Sequence, residues 1–95
     1  MQIELASKFE LGPVVCTPGA CGIDEGEINI ALSRYRAGDW GDLEKEDAAM
    51  NDEAVKENAF PTRIMATYRT KGGVKFWIIT EWDRSVTTIL LPSEY

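Results

Sequence analysis

Apolar residues in the C-terminal third of the chain recur at every second position. In residues 62 to 70, TRIMATYRT, Ile64, Ala66 and Tyr68 fall on one face and Arg63, Met65, Thr67 and Arg69 on the other. That period of two is the signature of a β-strand. Residues 74 to 82 repeat it, with Val74, Phe76, Ile78 and Trp82 on one side and Lys75, Trp77, Ile79 and Glu81 on the other. Because its centre is apolar on both sides, this segment reads as a middle strand, with Phe76 and Ile78 in the core. Lys71-Gly72-Gly73 supplies the hairpin turn before it and Trp82-Asp83-Arg84-Ser85 a polar corner after it. A third strand over 86 to 91 closes an antiparallel meander.

Upstream the period changes. Ile28, Ala31, Leu32 and Tyr35 fall at i, i+3, i+4 and i+7, one stripe of a helix. Asp24 and Glu27 ahead of it have capping-box spacing, Arg34 and Arg36 suit the dipole of the last turn, and Gly38 stops it. A second helical segment runs from Leu43 to Glu57 with Ala48, Met50, Ala54 and Val55 as its apolar positions. Asn51-Asp52 is expected to divide it, because short polar side chains compete for backbone hydrogen bonds, and Asn58 to cap it in a left-handed conformation. Residues 9 to 17, FELGPVVCT, form an extended segment that Gly12-Pro13 confines to an edge or a bulge. The expected fold is therefore α+β, one domain over residues 1–95. Its plan is a two-layer sandwich: a three-stranded antiparallel C-terminal meander, with room for a fourth, N-terminal strand, packed against two to three helices.

Charge narrows the function. The chain of 95 residues carries a net charge of −6. Residues 24 to 57 hold eleven acids against four bases. Nucleic-acid binders show the opposite sign, because their affinity comes from neutralising phosphates, so direct DNA or RNA binding is not expected. The same argument weighs against an analogy in topology with small ribonuclease toxins, since the chain also has no histidine. Two readings of the acidic half remain: solvated helical faces, or a DNA-mimic surface that occupies a basic groove on another protein. No apolar run approaches the ~20 residues of a membrane span. Acids occupy the N-terminal stretch where a signal peptide is basic, which predicts a cytoplasmic protein.

Candidate chemistry gathers in two places. The corner at 82 to 85 and the Gly-bounded Asp39-Trp40 turn offer carboxylates, a guanidinium and two indoles. Asp39 and Trp40 read either as a ligand clamp or as an aromatic plug closing the core. Arg84 reads as an anion anchor or as the ion-pair partner of Asp39, Glu81 or Asp83. Ser85 has no histidine or adjacent lysine to activate it, so no nucleophile and no other catalytic residue is assigned. Cys16 and Cys21 enclose Thr-Pro-Gly-Ala. A turn there allows a disulfide, but a reducing compartment predicts two free thiols. Zinc needs four ligands, and no metal or cofactor is expected.

Taken together, Gly38-Asp39-Trp40-Gly41, Asn51, Arg63-Ile64 with Tyr68, Trp77-Ile78-Ile79-Thr80-Glu81, Asp83-Arg84-Ser85, Thr87-Thr88, Leu90-Leu91-Pro92 and Glu94-Tyr95 resemble a family of small bacterial proteins. These come from plasmids, prophages and other mobile genetic elements, and some are labelled as subunits of type I restriction systems. The resemblance runs from Leu11 to Tyr95 and departs from the family at Trp82, where a small residue is expected, and at Asn58, where Gly is expected. It implies a protein of a mobile genetic element and names no activity; the partner expected for it is a host defence or restriction component.

The expectation is an acidic, non-enzymatic protein-binding module, with Asp39, Trp40, Trp82, Asp83, Arg84, Glu44, Glu46 and Glu53 as its contact residues. The alternative is a small-molecule or metal-dependent enzyme built on Asp39, Glu81, Asp83 and Arg84.

Overall fold

The computed structural model describes residues 8–56 and 59–95. Strand β1 (Val14–Cys16) leads through a 3-10 turn (Ala20–Gly22) into helices α1 (Glu25–Arg36) and α2 (Lys45–Ala54). Strands β2 (Ile64–Arg69), β3 (Lys75–Thr80) and β4 (Thr87–Leu90) follow, and a second 3-10 turn (Pro92–Glu94) ends the chain. The last three strands pair antiparallel, with Ile78 between Ala66 and Ile89. The α+β reading holds. The sheet, however, is four-stranded and mixed, in the order β1-β4-β3-β2, because β1 joins it parallel to β4. Pro13 shapes this outcome: its carbonyl accepts the Thr87 N–H at 2.9 Å, a contact that needs no N–H of its own. The regular strand begins only beyond it.

Helix α1 forms where its stripe predicts, burying Ala31 and Tyr35. Asp24 caps it by accepting the Glu27 N–H at 3.2 Å. The return half of the expected capping box is replaced by a tertiary bond: Glu27 accepts the Lys71 N–H from the β2–β3 turn at 2.6 Å. At the other end the Asp39 N–H reaches Arg34 O at 2.8 Å and the Gly38 N–H reaches Tyr35 O at 3.1 Å. That pair of bonds is a Schellman motif.

Helix α2 is continuous through Asn51-Asp52, against the expected break. The side chain of Asn51 does not compete for its own helix. It is buried and reaches across to strand β2, donating to Met65 O at 2.7 Å and accepting the Met65 N–H at 3.5 Å. Two residues along, Thr67 bonds Trp40 O and the Asp42 N–H. Helix and loop thus seal the outer edge of β2, which would otherwise invite pairing with another chain. Glu57 and Asn58, the predicted helix end and its cap, lie outside the described residues.

Both helices and the N-terminal segment cover one face of the sheet. Leu11, Ala31, Tyr35, Trp40 and Ala54 meet Ile64, Ala66, Tyr68, Phe76, Ile78 and Ile89 there. Through this apolar layer runs a chain of hydroxyls. Tyr35 Oη lies 2.8 Å from Thr80 Oγ1, which lies 2.7 Å from Thr87 Oγ1, which donates to Leu11 O at 2.7 Å. Thr87 donates to Leu11 O and Thr80 to Thr87, so the single Tyr35 proton is shared between Thr80 Oγ1 and Ile64 O, the latter at 3.1 Å, and no buried polar side-chain atom among the described residues is an orphan. Burial raises the Tyr35 phenol well above its ordinary value, and Thr80 opposes that shift. Removing the Tyr35 hydroxyl with Tyr35→Phe is expected to cost about 1–2 kcal/mol, read by urea denaturation. An unchanged midpoint would show that the chain of hydroxyls contributes nothing.

On the opposite face the C-terminus folds back. Trp77 packs edge-on against Tyr95, ring centres 5.5 Å apart, and Arg63 stacks over Tyr95 and donates to its hydroxyl at 2.7 Å.

The two cysteines depart from expectation. Cys16 and Cys21 form a disulfide with Cα atoms 5.4 Å apart, so no described cysteine is free. The Thr-Pro-Gly-Ala turn brings them within bridging distance, and this geometry replaces the compartment argument for free thiols.

Candidate functional site

The corner after β3 is organised by one side chain. Arg84 adopts φ 61°, the left-handed region, which costs a non-glycine residue about 1–3 kcal/mol. Its guanidinium offsets that cost by gathering backbone carbonyls. Nη1 donates to Thr62 O at 2.7 Å, Glu81 O at 3.1 Å and Trp82 O at 3.2 Å, and Nη2 to Ala54 O at 3.5 Å. The end of α2, the approach to β2 and the β3–β4 turn are thereby tied at one point. Arg84 is neither an anion anchor nor the partner of an acid; it is committed to the fold. Asp83 is committed as well. Its carboxylate accepts the Ser85 N–H at 3.1 Å, and the Ser85 hydroxyl and N–H hold it below the usual carboxylate range.

Asp39 and Trp40 belong to a different end of the molecule. Tyr68 donates to Asp39 O at 2.6 Å, and Tyr68 pairs with Phe76, whereas the corner adjoins the Ile64–Thr80 end of the same hairpin. Four residues of strand separate the two ends, roughly 13 Å. The Asp39 carboxylate forms a forked pair with Arg34 at 2.7 and 3.2 Å, which holds the acid below and the guanidinium above their ordinary values. Trp40 is buried against Tyr35 and Phe9 and donates to Asp52 at 2.8 Å. Of the two readings, the structure shows the plug. The four groups of the enzyme alternative are therefore not one constellation. Among the described residues no set of three acids or cysteines is arranged to hold a metal ion.

What the corner does present is apolar. Trp82 is 60 % exposed, Phe60 85 % and Met50 68 %. Phe60 and Met50 share a groove of about 350 Å³ with Glu53, Ala54, Ala59 and Thr62. The backbone of the β3–β4 turn adjoins this groove, since the Arg84 nitrogen that bonds Thr62 O also bonds Trp82 O. Met50 also lines the neighbouring groove of about 240 Å³ with Leu43, Asp47 and Arg63. Acids rim this face: Glu46 and Glu53 lie at i−4 and i+3 from Met50 on one stripe of α2, and both are exposed. Glu53 pairs with Lys56 at 2.7 Å between two well-exposed side chains. Glu44, the remaining acid of the expected set, stands at the N-cap of α2 and outside that stripe.

Of the sequence-predicted contact residues, Glu46 and Glu53 share the Met50 stripe of α2, while Trp82 and Asp83 stand in the β3–β4 turn that Arg84 ties to Ala54 O and Thr62 O. Asp39 and Trp40 lie elsewhere. Met50 and Phe60 were missed. Met50 reads from the sequence only as an apolar position of α2, yet its helical neighbours Glu46 and Glu53 are acids, which is the available signal. Phe60 stands before Pro61 in a segment with no periodicity to place it.

No helix among the described residues is long and apolar enough to cross a membrane. No family model matches the chain, and neither a curated protein nor a solved structure matches it.

Proposed function

We propose that this protein is a non-enzymatic binding module that docks another protein on the Met50–Phe60–Trp82 face. The observation that carries the reading is the exposure of three large apolar side chains on the three segments that the Arg84 guanidinium ties together, α2, the approach to β2 and the β3–β4 turn. Large exposed apolar groups that share one side and are rimmed by polar residues mark interaction surfaces. The rim sets the partner's chemistry. Glu46 and Glu53 ask for basic residues around an apolar centre, and they disfavour a second copy, whose own acids would face them. A basic component of a host defence or restriction system has the required character.

Two kinds of variant separate anchor from rim. Phe60→Ala and Trp82→Ala are each expected to weaken a captured partner by more than about 1 kcal/mol, chiefly through faster dissociation. Glu46→Lys with Glu53→Lys is expected to slow association about tenfold at low ionic strength, with the difference shrinking as salt is added. Surface plasmon resonance across a salt series reads both effects. Equal rates for wild type and the reversal would remove the acids from the interface. A wild-type dimer at ordinary ionic strength would contradict the assignment of a foreign partner.

A further inference from the structure

We propose that the Cys16–Cys21 disulfide is a reversible redox site, opened by glutathione-type thiols and re-formed while the protein stays folded. The inference is independent of the docking face. Three observations carry it. Both cysteines are exposed, Cys16 at the end of edge strand β1 and Cys21 in the following 3-10 turn, so a small thiol reaches either sulfur. The bridge encloses only four residues, which places its constraint on the unfolded chain at the low end for disulfides.

The third observation is that the loop is held without it. The Thr17 N–H bonds Ile89 O at 3.0 Å, the Cys21 N–H bonds Thr17 O at 2.9 Å, and Ala20 is fully buried. From the far end of the chain, Glu94 accepts the Thr17 hydroxyl at 2.5 Å and the N–H groups of Gly19 and Leu91 at 2.9 and 3.0 Å. These donors hold the Glu94 carboxylate below its usual range, so it stays ionised in neutral solution. With the bond broken, the same contacts keep the two Cα atoms near their present 5.4 Å, inside the range a disulfide spans. The dithiol is thus pre-organised to close again. An exposed, short-range bridge of this kind belongs with the labile disulfides rather than the structural ones.

The chemistry balances as thiol–disulfide exchange. A donor thiolate attacks one cysteine sulfur, the S–S bond breaks, and its electron pair leaves on the other sulfur, which takes up a proton. A second donor thiol resolves the mixed disulfide. Two electrons and two protons reach the cysteines, and the donor leaves as its own disulfide. Oxidised donor reverses each step.

The test equilibrates the whole protein in mixtures of reduced and oxidised glutathione, followed by acid quench, alkylation and mass spectrometry. Near-ultraviolet circular dichroism follows the fold in the same samples. The expected result is interconversion of dithiol and disulfide within the accessible range of mixtures, with an unchanged aromatic spectrum. Amide exchange at Thr17 and Cys21, whose N–H groups bond Ile89 O and Thr17 O, is expected to stay protected in the reduced form, as in β2 and β3. Glu94→Gln, which weakens the cradle, is expected to move the midpoint about threefold or more toward the dithiol, because the two thiols meet less often. The Cys16→Ser, Cys21→Ser double variant is expected to fold normally. A bridge that stays oxidised in the most reducing mixture, or a spectrum that collapses on reduction, would overturn the proposal. A midpoint unmoved by Glu94→Gln would overturn the part played by the cradle.

Discussion

Gly41→Ala is expected to destabilise the protein by about 3 kcal/mol or more, a large share of the roughly 5–15 kcal/mol that holds a domain folded. Two independent penalties coincide. Gly41 has φ 70°, where a Cβ is disfavoured, and a Cβ built there would collide with Thr67 O and lie 2.9 Å from the Tyr68 ring. The first obstacle is backbone and has nowhere to move, because Thr67 sits in β2 opposite Trp77. Displacing the loop would also withdraw Trp40 from the core and break the bonds that seal the edge of β2. Gly73→Ala is the control: its φ is 88°, but nothing lies within 4 Å of a new Cβ. That change is expected to cost roughly 1–2 kcal/mol from conformation alone. Urea denaturation of the two variants reads the difference. A loss at Gly41 no larger than at Gly73 would mean that the loop is not seated on β2.

Ile78→Ala is expected to cost about 2–5 kcal/mol. Ile78 is fully buried at the centre of β3, between Ala66 and Ile89 and beneath the helices. Its small neighbour Ala66 offers little to fill the void, which argues for the upper part of the range. Ile30→Ala, on the exposed side of α1, is expected to stay within about 0.5 kcal/mol. Chemical denaturation of both variants tests the claim, and equal losses would place the core elsewhere.

The strands and the first helix were legible because periodicity reports directly on burial. Alternation in 62 to 70 and 74 to 82 located β2 and β3, and the stripe ending at Tyr35 located α1. Turn chemistry was legible too, at Lys71-Gly72-Gly73 and at Gly38. What was hidden depends on contacts between residues far apart in the chain. The pairing of β1 with β4 joins Val14 to Thr87, and no local pattern specifies a partner at that distance. Asn51 looked like a helix breaker because its amide bonds backbone; it does so, but the backbone is that of β2. Arg84 is the sharpest case. A guanidinium beside acids reads as an ion pair or an anion anchor, and only the tertiary structure reveals carbonyl oxygens from three segments converging on it. With Arg84 turned inward, the site passes to its apolar neighbours, which carry little sequence signal because exposure, unlike burial, imposes no period.

The most direct measurement of the central claim is oxidative footprinting of the protein, free and bound to its captured partner, read by mass spectrometry residue by residue. Met50, Phe60 and Trp82 are expected to react readily in the free protein and to become protected together on binding, while Ile30 and Val74, exposed on other surfaces, stay unchanged. Protection confined to Ile30 and Val74, with Met50, Phe60 and Trp82 still reactive in the complex, would contradict the account.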